Sequence, residues 1–129
     1  MSFSTRRDLT TSYDEALAKV PEALKAEGFG VLTEIDMKET LKNKLGVDFR
    51  RYKILGACNP PLAHKALSAE LEIGLMLPCN VIVYEADDGH AVVAAIDPTL
   101  TIASIGKPEL AELAATVKEK LGRALASLA

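Results

Sequence analysis

The sequence predicts an α+β domain in which helices pack on a sheet that is at least partly antiparallel. Four segments repeat apolar residues at helical spacing, and five short runs have the composition of strands. Two of these runs flank Asp87-Asp88-Gly89, a tripeptide typical of hairpin turns. The chain has 129 residues, so we expect one domain over residues 1–129 that buries its core without disulfides or structural metal.

A capping-box pattern predicts the first helix. Ser12 stands three residues before Glu15, a spacing at which the two side chains satisfy free backbone amides. Apolar residues then recur at helical steps and Gly28 provides a stop, so we expect a helix over residues 12–27. Pro21 lies inside it and should bend or weaken it, because proline removes a backbone donor.

The next two helices also carry start and stop signals. Asp36 repeats the capping spacing before a short helix that should end at Gly46. Asn59 followed by Pro60 is a strong start, since asparagine caps free amides and proline is favoured at the first helical position. The apolar residues that follow share one face, and we expect this third helix to end at Gly74.

The fourth helix opens at Pro108 and carries a leucine-rich stripe, with glutamates at the positive end of its dipole. Strands are expected over residues 3–9, 29–35, 52–58, 80–86 and 90–96. The last two are apolar on alternate and on intervening positions, so both faces of the sheet should be covered there. Long helices can cover one face, and the other needs the shorter helices or a second subunit. The sequence therefore predicts a homodimer.

Composition disfavours several kinds of partner and compartment. The chain has 15 Lys and Arg against 18 Asp and Glu, a net charge of −3, so there is no excess of positive charge to bind nucleic acid. No run reaches the ~18 apolar residues that span a bilayer, and the first residues lack the apolar stretch of a signal peptide. We expect a cytoplasmic protein in which Cys58 and Cys79 are mainly reduced.

Two Cys-Asn dipeptides are the residues most suggestive of chemistry. Cys58-Asn59 is followed by two prolines and Cys79-Asn80 is preceded by one, so each cysteine should lie where a strand meets a turn. Cys58 would lie just outside the N-terminus of the third helix, where free amides and the helix dipole favour a thiolate and lower the pKa. The two thiols can meet only if their strands are antiparallel neighbours; parallel strands would place them at opposite ends of the sheet.

His64 falls one turn into the same helix and could reach back to Cys58 as a base or as a third ligand. A metal site of Cys58, His64 and Cys79 with an open fourth position is chemically sensible, although the spacing is not that of a zinc knuckle. Structural roles stay open as alternatives: His64 as an exposed helix residue, Cys58 as a small buried hydrophobe, Asn59 as a helix cap and Asn80 as a partner for exposed backbone.

Other candidates rank lower. Arg50, Arg51 and Lys53 form a small basic cluster that could meet an anionic ligand, but a solvated strand entry is the simpler interpretation. Glu85 and Asp97 could form a carboxylate pair across the hairpin, although nothing in the sequence sets their distance or burial. The chain lacks a glycine-rich phosphate loop.

Two segments resemble the core of a known family. The Cys-Asn-Pro element within residues 52–60 and the Leu-Pro-Cys-Asn element within residues 72–85 are similar to the domain-of-unknown-function 302 family. The resemblance implies a two-layer sandwich of the TATA-box-binding-protein-like class, with a mainly antiparallel sheet in the order β-α-β-β-β-β-α and extra short helices. It therefore favours neighbouring antiparallel strands for the two cysteines. The family name implies no function, and the acidity and few aromatics of this chain argue against DNA binding.

The leading hypothesis is a cytoplasmic domain that binds a small ligand or metal in a pocket around Cys58, Asn59, His64, Cys79 and Asn80. One alternative is a thiol-dependent enzyme or redox protein that uses the two cysteines. Another is a structural or protein-interaction module without a catalytic site. The sequence does not determine the reaction or the ligand.

Overall fold

A computed structural model of the chain describes residues 2–128. These residues form five strands and four α-helices in the order β-α-β-β-β-β-α with two short helices inserted, an α+β sandwich as predicted. Their bounds are β1 Ser4–Ser12, α1 Tyr13–Ala26, β2 Gly30–Asp36, α2 Met37–Leu45, β3 Tyr52–Cys58, α3 Pro60–Ala69, β4 Cys79–Glu85, β5 His90–Ile96 and α4 Pro108–Ala126. Short 3₁₀ segments cover Leu71–Met76, Pro98–Leu100 and Ile102–Ile105.

The sheet has the strand order β1-β5-β4-β3-β2, and every neighbouring pair is antiparallel. The predicted hairpin is formed, with Val83 of β4 opposite Val93 of β5. On the other side of β4, Cys79 lies opposite Ala57 of β3. The end of β3 and the start of β4 are therefore adjacent, which is the arrangement that brings the two cysteine-bearing turns together.

The helix starts follow the predicted caps. The backbone amide of Glu15 donates to Ser12 Oγ over 3.2 Å, and the amide of Glu39 donates to Asp36 Oδ1 over 3.0 Å. α1 continues through its internal proline to Ala26. None of the helices in the described part of the chain has the length and apolar character needed to span a bilayer.

The third helix is shorter than predicted. It ends at Ala69, because Glu70 is extended at φ −152° and ψ 109° and its carboxylate accepts a hydrogen bond from the amide of Glu72. A side chain that binds nearby backbone competes with continuation of the helix. The following residues form the 3₁₀ segment Leu71–Met76, whose Ile73 is still buried in the core.

The main core lies between one face of the sheet and the two long helices. Residues of the central strands that point to this face are fully buried, among them Val81, Val83 and Val93. They join α1 and α4 side chains such as Leu24 and Leu121 in one cluster. Full burial of an aliphatic side chain of this size stabilises a fold by about 1.5–3 kcal/mol.

The opposite face of the sheet carries no comparable layer. Val92 and Ala94 are buried but lie outside the core cluster, and Ile82 and Tyr84 on the same face are half-buried. The short helices do not supply the expected cover: α3 packs against α4 on the helical side, and α2 has no buried residue. No helix within residues 2–128 covers this face of the sheet.

Candidate functional site

A cavity of about 280 Å³ lies where β3 ends and β4 begins, at the end of the sheet next to α3 and α4. Most of its wall is aliphatic or aromatic. The lining residues are Phe29, Leu32, Ala57, Cys58, Asn59, Leu62, Ala63, Leu67, Gly74, Leu77, Pro78, Cys79, Ile102 and Val117.

Both cysteines line this cavity, and both are free thiols. Cys79 is the first residue of β4 and is only 6% exposed, whereas Cys58 is half-buried at the end of β3. Burial, together with the nearby charge of Cys58 when ionised, raises the pKa of Cys79 to about 11. At neutral pH Cys79 is therefore a protonated, weakly nucleophilic thiol.

At the cavity wall, Asn59 joins α3 to the loop after α1. Its Oδ1 accepts a hydrogen bond from the amide of Leu62 over 3.3 Å and so caps α3, as predicted. Its Nδ2 donates to the backbone carbonyl of Glu27 over 3.4 Å, which ties this end of α3 to the loop after α1. The loop must approach closely: a Cβ at Gly28, which has φ +88°, would lie 2.9 Å from Asn59 Nδ2.

The start of α3 offers fewer free amides than the sequence analysis expected. Pro60 and Pro61 have no amide hydrogen, and the amide of Leu62 is used by the Asn59 cap. The amide of Ala63 donates to the Asn59 carbonyl within the helix. The expected stabilisation of a Cys58 thiolate by free amides is thus not available, because the same prolines that start the helix remove them.

The predicted site residues fall into two groups. Cys58, Asn59 and Cys79 line the cavity, whereas His64 and Asn80 are exposed and do not. His64 follows Ala63 by one helical step of about 100°, which turns it from the cavity to solvent. Asn80 follows Cys79 in a strand, so its side chain points to the opposite face of the sheet.

The predicted metal site of Cys58, His64 and Cys79 is accordingly not assembled. Among residues 2–128, no group of three His, Cys, Asp or Glu side chains is placed to hold a metal ion. One cause is the orientation of His64 on α3, which keeps the imidazole outside the cavity that the two cysteines line.

Comparison with known proteins agrees with this architecture. The family model described as "Domain of unknown function DUF302" matches residues 5–128. The chain belongs to the DUF302 family. Its structure is similar to the crystal structure of an uncharacterised conserved DUF302 protein from Bacillus stearothermophilus, with a TM-score of 0.92, 33% identity and full coverage of both chains. A search of the curated proteins found no match.

The apolar wall of this DUF302 cavity was missed by sequence reasoning. Leu32 of β2, Leu67 of α3, Ile102 of a 3₁₀ segment and Val117 of α4 come from four separate elements. Leu32 lies between Val31 and Thr33, where the register between β2 and β3 shifts. Periodicity predicted the helix that contains Val117, but none of these residues carries a local signal for a cavity.

The basic cluster of this DUF302 chain is paired with carboxylates. Arg51 contacts Asp14 at 3.1 Å and Glu85 at 2.6 Å, and its guanidinium stacks over the Tyr13 ring at 4.7 Å. Arg50 contacts Asp87 at 2.8 Å. Lys53 is likewise held by a glutamate of β2. These pairs neutralise most of the positive charge that was considered for an anionic ligand.

Glu85 and Asp97 do not form the pair that the sequence allowed. Glu85 stands beside the β4–β5 turn and binds Arg51, whereas Asp97 follows β5 at the other end of the hairpin. Asp97 is buried and accepts hydrogen bonds from the Thr99 amide and from Lys118 Nζ. The length of the hairpin separates the two carboxylates, so they cannot share acid–base chemistry.

Proposed function

We propose that this DUF302 chain binds a small, uncharged and largely apolar ligand in the cavity between β3, β4, α3 and α4. The observation that carries this proposal is the composition of the wall: none of the described lining residues is charged, and the polar side chains among them are Asn59 and the two cysteines. Apolar cavities of about 150 Å³ bind benzene, so about 280 Å³ is enough for a two-ring molecule.

The polar groups of the cavity explain why an uncharged ligand is favoured. Burying a charge without a partner is costly, and Asn59 already uses its oxygen for the α3 cap and its amide nitrogen for the Glu27 carbonyl. Cys79 is protonated at neutral pH, so it offers no charge either. The ligand is held mainly by contact with the aliphatic wall and oriented by the thiols.

Titration with prodan, an uncharged fluorescent probe built on a two-ring naphthalene, tests the proposal. We expect saturable binding of one probe per chain. Ala63→Met should fill the cavity and weaken binding by about tenfold or more, the loss that about 1.4 kcal/mol produces. Ala111→Met, on the exposed side of α4, is the matched control and should bind as the wild type does. Absence of saturable binding, or equal binding by the two variants, would refute the proposal.

A thiol-dependent enzyme or redox protein is less well supported. Both cysteines line the cavity, which agrees with that function. However, the pKa of Cys79 is raised to about 11, and the start of α3 offers no free amide to a Cys58 thiolate among its first three residues. A purely structural module is distinguished by the probe titration, because it would bind no ligand in the cavity.

We also infer that two copies of the chain pair through the uncovered face of the sheet. This face carries Ile82 and a stacked pair of tyrosines, Tyr52 and Tyr84, with ring centroids 5.5 Å apart. Its edge strand adds Arg6 and Asp8, which lie opposite Ala94 and Val92. A two-fold interface must be self-complementary, and a face with both charge signs beside an apolar centre meets that requirement.

Light scattering at micromolar concentration should give the mass of two chains; the mass of one chain would exclude the pair.

We infer a cytoplasmic location, a compartment that would keep both thiols reduced. Cys58 and Cys79 lie at adjacent strand ends and are both free. Neighbouring free thiols are typical of a reducing compartment. Fractionation of cells that contain the full chain tests this inference, and recovery outside the cytoplasm would contradict it.

A further inference from the structure

The mouth of the cavity is bordered by leucines that are largely exposed to solvent. Leu71 is 84% exposed and Leu75 is 88% exposed, and both belong to the 3₁₀ segment that follows α3. Leu32 of β2 is 66% exposed although it lines the cavity. Exposed apolar surface that is continuous with a cavity marks a binding surface in soluble proteins. These side chains therefore need an explanation that the cavity alone does not give.

The geometry of the 3₁₀ segment joins its leucines to the cavity. Side chains three residues apart lie above one another in a 3₁₀ helix, so Leu71 is in the same row as Gly74, which lines the cavity. Leu75 is the next residue after Gly74. Leu67 of α3 also lines the cavity, and a Cβ at Gly74 would lie 3.9 Å from its Cδ2 atom. Leu67, Leu71 and Leu75 thus continue the cavity wall outward, and we call them the leucine rim.

We propose that the ligand carries a single alkyl chain longer than the cavity, with its first part inside, its next part along the leucine rim and its polar head in water. This assignment rests on the proposed function and adds the ligand class, a single-chain lipid with an uncharged head. A cavity of about 150 Å³ holds the six carbons of benzene, so about 280 Å³ holds about eleven carbons. Further carbons lie outside the cavity, where the rim is the neighbouring apolar surface.

The polar groups of the cavity favour a head that stays outside it. Among the described lining residues, the polar side chains are Asn59 and the cysteines. The oxygen and the amide nitrogen of Asn59 each already have a hydrogen-bond partner, and thiols are weak donors and acceptors. A hydroxyl or sugar buried here would lose its hydrogen bonds to water without full replacement. At the outer edge of the rim it keeps them.

Charges beside the rim favour a bound alkyl chain over a membrane surface. Glu70 directly precedes Leu71 and is paired with Lys107 at 3.3 Å, whereas Glu72 directly follows Leu71. The cytoplasmic surface of a membrane is negatively charged, so it would repel a carboxylate next to the inserted leucine. A single alkyl chain with an uncharged head meets no such repulsion and still covers the apolar surface of the rim.

The test is a calorimetric titration of the protein with alkyl maltosides from octyl to tetradecyl, each below its micelle-forming concentration. These uncharged probes differ only in the length of the alkyl chain. Full burial of a methylene raises affinity about fourfold, and burial on one side about twofold. We expect about the first increment per methylene until about eleven carbons fill the cavity, and about the second from there to tetradecyl.

Replacing two rim leucines isolates their contribution. The double variant Leu71→Ser/Leu75→Ser should bind tetradecyl maltoside about eightfold more weakly than the wild type, because three methylenes lose about twofold each. Octyl maltoside should bind it unchanged. Leu45→Ser is the matched control: this leucine is 70% exposed in α2, and its loss should leave the whole series unchanged. Circular dichroism confirms that the variants keep the fold.

The outcomes separate this inference from the proposed function. If the wild type binds neither prodan nor octyl maltoside, the proposed function fails and this inference fails with it. Binding of both without a rise beyond the capacity of the cavity, or the same rise in the double variant, overturns this inference alone. An unchanged series, together with loss of binding to phosphatidylcholine vesicles in the double variant, would assign the rim to a membrane surface and also overturn it.

Discussion

Gly56 shows how closely the backbone packs beside the cysteine-bearing turns. A Cβ there would lie 2.2 Å from Thr33 Oγ1 and 2.6 Å from Pro78 Cγ. Gly56→Ala should therefore destabilise the fold by about 1–3 kcal/mol through overpacking. Gly30→Ala is the matched control: a Cβ there meets nothing within 4 Å, and we expect a change within about 0.5 kcal/mol. Urea unfolding measures both, and equal effects would contradict the packing argument.

The two cysteines should differ in reactivity. Cys79 is buried with its pKa raised to about 11, whereas Cys58 is half-buried at the cavity wall. Because the thiolate is the nucleophile, iodoacetamide should modify Cys58 at least about tenfold faster than Cys79 near neutral pH. Peptide mass spectrometry at successive times gives both rates. Equal rates would show that Cys79 is not protected in solution.

His90 makes stability depend on pH. The hydrogen bond to Asp88 is the main cause that raises the pKa of His90, and Asp8 adds to it at 3.5 Å. A raised pKa means that the stabilisation is fully present below the ordinary histidine value of about 6.5 and is lost as pH rises through the higher folded value. The pKa of Asp8 is lowered mainly by the hydrogen bond from Arg6, and that of Asp88 mainly by the backbone amide of His90, with the imidazole adding to both. The stabilisation from these carboxylates is therefore present above their ordinary pKa of about 4 and is lost as pH falls through the lower folded values.

Urea unfolding from about pH 5.5 to about pH 8.5 tests this, across the range in which histidine titrates. His90→Asn should be less stable than the wild type at the acid end of this range, and the difference should shrink toward the alkaline end. His64→Asn, at the exposed histidine of α3, is the control for the loss of an imidazole elsewhere on the surface. A difference for His90→Asn that stays constant across this pH range would contradict the assignment.

At the scale of elements, α3 depends on one side chain at its start. Asn59→Ala removes the cap on Leu62 and the bond to the Glu27 carbonyl, and should cost about 1 kcal/mol, within the 0.5–2 kcal/mol typical of caps. Asn59→Asp keeps the capping oxygen but loses the amide donor, so its cost should be smaller. Chemical denaturation of both variants checks the order. A larger cost for Asn59→Asp would show that the bond to the loop, not the cap, holds this end of α3.

At the scale of the whole molecule, the uncovered face of the sheet decides the assembly. Ile82→Glu places a charge at the centre of this face, between Ile54 and Ala94, and should convert the inferred dimer to a monomer with its fold retained. Ile105→Glu changes an isoleucine that is 39% exposed in a 3₁₀ segment and should leave the dimer intact. Sedimentation of both variants tests this, and an unchanged mass for Ile82→Glu would place any contact elsewhere.

Local signals in the sequence were enough to predict most of the secondary structure and the β4–β5 hairpin. Ser12, Asp36 and Asn59 cap the helices that they were expected to cap, and the β4–β5 hairpin forms at its predicted turn. The third helix ends early because the carboxylate of Glu70 bonds to nearby backbone, a competition that apolar periodicity does not reveal. Such signals are readable because each depends on residues only a few positions apart.

Local patterns were therefore enough to predict the elements, their caps and the family, and to single out the two cysteines as candidate site residues. Which of the candidates line one cavity depends on how distant segments pack. Antiparallel pairing of β3 with β4 placed Cys58 and Cys79 on one cavity, and the helical rotation of α3 excluded His64 from it. The residues that line the cavity are spread along the chain between Phe29 and Val117. Contacts across such separations follow from chain topology and packing, for which single residues carry no local pattern.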